Sequence, residues 1–139
     1  MTDATIPQGF SLLPKGLGFN DELAPIYING SEEVFRSAIV IQKRHLNPMG
    51  IWHGGVILSF ADFAMAAILS HKLQSHGGMP TINMNVDFIA PSNEGDWIEF
   101  VLDRLSLTKL MGNVSGVLQG PNGVVARVNG IYRLPRQAA

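Results

Sequence analysis

The chain has no cysteine, which excludes a disulfide frame and any thiol chemistry. Charge is scarce and balanced, with ten Lys and Arg against eleven Asp and Glu, 15% of 139 residues. Such a surface sets up no field that would gather nucleic acid. The N-terminus lacks the basic, then apolar, then small-residue order of a secretory signal, so a cytoplasmic protein is expected. No internal repeat or low-complexity segment occurs. What is present is apolar: 46% of the chain, enough for one globular domain burying roughly two-thirds of its unfolded surface.

That apolar content concentrates in one run, Val56 to Leu73, interrupted only by Ser59, Asp62 and Ser70 before His71-Lys72 closes it. A helix apolar all round is a core helix or a membrane span. A span needs about 20 mostly apolar residues, and Asp62 near the middle argues against one. The spacing therefore predicts a central helix of one domain, wrapped by the rest of the chain. Asp62 is costly to bury there unless it is paired, protonated or in use.

A stiff, glycine-rich loop leads into the run: Asn47-Pro48-Met49-Gly50-Ile51-Trp52-His53-Gly54-Gly55. A helix start carries unpaired N–H groups and a partial positive charge, and glycine lets a ligand oxygen come close. Gly54 and Gly55 are thus candidate oxyanion donors, or else only a tight turn. His76-Gly77-Gly78 repeats the tripeptide beyond the run, where glycine is the expected helix stop. Gly55 and Asp62 are seven residues apart, so about 10 Å along the axis. One carbonyl can be served by both only if a second copy of the helix lies antiparallel, as in a two-fold dimer. Otherwise Asp62 is a buried carboxylate bonded to Ser59 or to backbone. His45, His53, His71 and His76 are metal-ligand types, but His53 and His76 lie near opposite ends of a helix about 30 Å long, and no metal site is expected.

Around the helix, Asn29-Gly30 signals a hairpin between a strand at 24–28 and one at 34–43. Thr81 to Phe88 alternates, with Ile82, Met84, Val86 and Phe88 on one face and Thr81, Asn83, Asn85 and Asp87 on the other. Strands follow at 97–106, 112–119 and 124–134, the last two joined by a Pro121-Asn122-Gly123 turn. Val124, Ala126, Val128 and Tyr132 share a face of the last one. The expected architecture is α+β: a hairpin, one helix, and a meander of about four strands curled around it. Residues 1–23 read as an irregular arm with a helical turn near Asn20–Leu23, residues 24–134 as the domain, and residues 135–139 as a tail.

These residues resemble the hotdog-fold thioesterases, specifically the PaaI-like branch of the 4-hydroxybenzoyl-CoA thioesterase superfamily. The resemblance rests on Asn47-Pro48-x-Gly50-x-x-His53-Gly54-Gly55 with Asp62 nine residues after His53. Thr81 to Pro91, Gly95 and Gly123-Val-Val-Ala126 add to it. It implies a curved sheet around the central helix, no cofactor, and hydrolysis of an acyl-CoA thioester by a homodimer, often paired into a tetramer. By that resemblance Gly54 or Gly55 polarises the carbonyl, and Asp62 of the partner subunit is general base or nucleophile. His53 and Asn47 shape the loop, and Thr81 helps hold the attacking water. An apolar pocket from Trp52, Phe60, Phe63 and Met65 could hold an aryl or an alkyl chain. Ala90 stands where many relatives carry Arg, leaving Arg104, Lys109, Arg133 and Arg136 as CoA-phosphate candidates by charge alone. A non-catalytic acyl-CoA sensor on the same fold is the alternative. A dehydratase is a further one, disfavoured because the acid lies inside the helix.

Overall fold

The apolar run forms one helix, α1, Gly54–Leu73. His53 caps it with extended backbone, its ring accepting from the Gly55 N–H. It ends at Gln74, whose left-handed backbone (φ 47°) returns its N–H to the carbonyls of Ser70 and His71. The expected stop at Gly77-Gly78 is therefore corrected: the helix ends a turn earlier, closed by a non-glycine residue. A computed structural model describes residues 5–136 of the chain. The ends of the arm and tail, 1–4 and 137–139, lie outside the described residues.

Seven strands make one sheet: β1 Ser11–Leu12, β2 Ile26–Asn29, β3 Arg36–Val40, β4 Thr81–Phe88, β5 Trp97–Leu107, β6 Met111–Gly120 and β7 Gly123–Arg133. Their order is β1-β2-β3-β5-β6-β7-β4, with every pair antiparallel. The curled sheet packs its inner face on α1, which is the α+β hotdog architecture. Ser11–Leu12, in the segment read as irregular, adds a two-residue edge strand, and the helical turn forms as a 3-10 helix, Gly18–Leu23.

Three expectations need correction. The strands after α1 are not one meander: only β5, β6 and β7 are, while β4 pairs with β7 at the far edge. Alternation in a sequence records which face a residue takes, not which strand lies beside it. The chain returns from β4 through 89–96, anchored by Ile89 and Ala90 N–H groups on the Val125 carbonyl and by Asp96 and Gly95 on Ile41. The Asn29-Gly30 pair does not make a two-residue turn either. Residues 30–35 connect β2 to β3, and the buried Asn29 side chain accepts from the N–H and hydroxyl of Ser31. Finally, a bulge opposite Gln119 turns Val124 outward and puts Val125 in the core.

The helix is covered on one face only. Ile57, Phe60, Ala61, Ala64, Met65, Ile68 and Leu69 are buried against the sheet, at spacings of three and four. Leu58, Phe63, Ala66 and Ala67, equally apolar, are left exposed or half-buried. The sheet wraps the helix as expected, but it leaves this second apolar face uncovered. β4 has the same unfinished character. It has a neighbour on one side only, and Ile82 and Phe88 are 51% and 58% exposed.

Candidate active site

Asp62 sits half-buried on the open face of α1, and two hydroxyls converge on it. The Thr81 hydroxyl donates to Oδ1 at 2.6 Å and the Tyr132 hydroxyl donates to the same Oδ1 at 2.9 Å. Tyr132 also lies 3.2 Å from the Asp62 carbonyl oxygen. Oδ2 has no hydrogen bond among the described residues, and Asp62 lines a cleft of about 880 Å³. Phe63, Ala66, Ala67 and Met79 wall that cleft with apolar surface, and His71 stands farther along. Burial, and then the negative charge of Asp62, push the Tyr132 hydroxyl far above the ordinary phenol range. It stays protonated, and so stays a donor.

A bulge in β4 makes this convergence possible. Asn83 pairs with Ile131, and with unbroken register Thr81 would fall opposite Arg133, on the outer face with Asn83 and Asn85. The extra residue Ile82 instead sets Thr81 opposite Tyr132. Thr81 is thereby swung from the polar face assigned by alternation to the face that meets α1. Tyr132 was read from the sequence only as a face-filling residue of the last strand. A hydroxyl at a fully buried position is the signal that it needs a partner.

The start of α1 forms a second, separate cleft of about 410 Å³. Asn47 organises its loop: the side-chain carbonyl accepts from the Met49 and Ile51 N–H groups, and its backbone exchanges bonds with Ile51 and Gly50. His53 Nδ1 accepts from the Gly55 N–H at 2.8 Å, so that N–H is already occupied. The N–H groups of Val56 and Ile57 go to the His53 carbonyl. The Gly54 N–H has no acceptor among the described residues, and Gly54 lines the cleft beside Asn47, Trp52 and Phe88. The Phe88 ring lies 3.4 Å from where a Gly54 Cβ would be.

Of the proposed pocket aromatics, Phe63 lines the Asp62 cleft and Trp52 the helix-start cleft. Phe60 and Met65 are corrected: both are fully buried in the core, Phe60 near Trp52, and neither lines either cleft. Lys109 and Arg136 border a third cleft at the C-terminal end of α1. Among the described residues no three His, Asp or Glu side chains gather as a metal cage would.

His45 supports the loop from below. Its carbonyl accepts from the His53 N–H, and its buried ring accepts from the Gln42 N–H at Nδ1. Nε2 points towards the Glu22 carbonyl without completing a hydrogen bond. Burial, then the charge of Arg44, lower its affinity for a proton. The unfolded chain takes up that proton below about pH 6.5, where the fold resists it. Stability is therefore full above that pH and declines as pH falls beneath it. Urea midpoints between pH 7.5 and 5 measure this. His45→Asn, which keeps an acceptor for Gln42, should flatten the decline, and an unchanged slope would rule His45 out as its source.

Known proteins share the family and the fold. A family model described as "Thioesterase superfamily" matches residues 49–118. A Pseudomonas aeruginosa protein named "Putative esterase" is 26% identical, over 94% of this chain and 98% of its own. Among solved structures, zebrafish thioesterase superfamily member 2 superposes with a TM-score of 0.74 at 18% identity, covering 87% of this chain and 89% of that one. The Escherichia coli PaaI protein, from the phenylacetic acid degradation operon, superposes with a TM-score of 0.70 at 21% identity, covering 83% and 89%.

Proposed function

The chain belongs to the thioesterase superfamily of thioester hydrolases, and on that premise we propose that it hydrolyses acyl-CoA in a site shared by two protomers. The observation that carries the reading is where the two half-sites lie on β4. Its first residue, Thr81, is bonded to Asp62; its last, Phe88, packs beside Gly54. The strand is an open edge. Two copies pairing antiparallel about a two-fold axis exchange ends, so each Asp62 comes to face Gly54 of the partner subunit. The pairing also covers the bare apolar side of each helix. Further pairing of such dimers would give a tetramer, and CoA chemistry suits the cytoplasm.

The chemistry follows from the donors already spent. The one Thr81 proton is committed to Asp62, so its hydroxyl oxygen can only accept. A water that donates to Thr81 and to Asp62 Oδ2 turns a lone pair towards the thioester carbonyl. Attack forms the C–O bond and passes a proton to Oδ2. The developing oxyanion is met by the N–H of Gly54 of the partner subunit, at the positive end of a helix. Collapse breaks the C–S bond, and the leaving CoA thiolate takes the proton back from Asp62. The apolar walls of the Asp62 cleft suit an aryl or medium-chain acyl group.

An assay of CoA release from phenylacetyl-, benzoyl- and octanoyl-CoA tests the reading. Turnover of at least one is expected. Saturable binding of all three without turnover would favour the sensor alternative and reject hydrolysis.

A further inference from the structure

We propose that Tyr132 is a positioning residue for this reaction: its hydroxyl, with that of Thr81, pins Oδ1 of Asp62 and leaves Oδ2 as the single reactive oxygen. The inference rests on the reading of Asp62 as the base. A free carboxylate has two equivalent oxygens and rotates between them. Here two donors at 2.6 and 2.9 Å hold one of them from two adjacent strands. A charge-assisted hydrogen bond is stronger than a neutral one, so the pair fixes the rotamer. Tyr132 is fully buried, and a second contact, to the Asp62 backbone carbonyl, ties its hydroxyl to the turn of α1 that carries the base. Gly130, two residues earlier, leaves the space the ring occupies, since a Cβ there would stand 2.7 Å from the Tyr132 ring. The remaining titratable groups of the cleft among the described residues are His71 and His76, and no described Lys, Arg or Glu lines it.

Tyr132→Phe keeps the ring and removes the donor. The expected result is a fall of about 10- to 100-fold in kcat with little change in KM, and a low-pH limb of kcat/KM displaced to higher pH. The chain has only two tyrosines, Tyr27 and Tyr132, which permits a test that does not depend on the stability of that variant. In a Tyr27→Phe background, biosynthetic 3-fluorotyrosine labels position 132 alone. Its fluorine resonance should titrate together with the low-pH limb of activity, and Asp62→Asn should abolish that titration. If Asp62→Asn is inactive while Tyr132→Phe keeps wild-type kcat and limb, or the fluorine signal ignores the limb, Tyr132 is structural only. If Asp62→Asn itself stays active, the reading of Asp62 as base fails instead.

Discussion

Replacing Asp62 by asparagine lowers kcat for CoA release about a thousandfold, within the range that a positioned general base contributes. The substitution isolates one atom. The amide oxygen can still accept from Thr81 and Tyr132, as Oδ1 does now. Only the unbonded position, Oδ2, changes, from an acceptor to an NH2 that accepts nothing. KM and Tm should therefore stay close to wild type. Loss of folding would mean the carboxylate is needed for structure, and kcat within tenfold of wild type would exclude it as the base.

Gly54→Pro is the second large effect, about 100-fold or more in kcat, the value of one oxyanion donor. Proline removes the N–H and little else. Residue 54 is the first of α1, where proline is well tolerated, and His53 (φ −67°, ψ 133°) already has the extended backbone proline requires before it. The added Cβ would meet the Phe88 ring at ordinary contact distance, 3.4 Å. Each variant damages one half-site and spares the other. Co-expressed with Asp62→Asn, the two inactive chains should regain about a quarter of wild-type activity. Half of randomly paired dimers would be mixed, each with one of its two sites intact. No recovery in verified mixed dimers would place both groups in one chain's own site and overturn the shared-site reading.

Much of this was legible in the chain. The loop at 47–55, the apolar helix and its lone carboxylate stand out because local patterns specify them. The spacing from Gly55 to Asp62 puts the two too far apart to serve one carbonyl from the same helix, since helix rise converts residue count into distance. What local pattern could not show was set by long-range pairing. Thr81 was assigned to the wrong face because one extra residue, Ile82, resets a two-residue period without any mark in composition. Tyr132 could not be linked to Asp62 without knowing that β7, not β5, lies beside β4. Between Gly54 and Gly55 the sequence offered no choice; in the fold the His53 ring occupies the Gly55 N–H, while that of Gly54 has no acceptor among the described residues. Phe60 was misplaced because a helix apolar on every side has no pattern to tell its covered face from its open one.

The two rims of the sheet differ, and the difference limits what the protein can build. β1 is two residues long and offers almost nothing to pair with, whereas β4 offers eight. A sheet adhesive at both rims can add copies without end, as fibres do. A sheet adhesive at one rim would consume that rim in its first partnership, so growth by strand addition would stop at two, and any larger assembly would have to use another face.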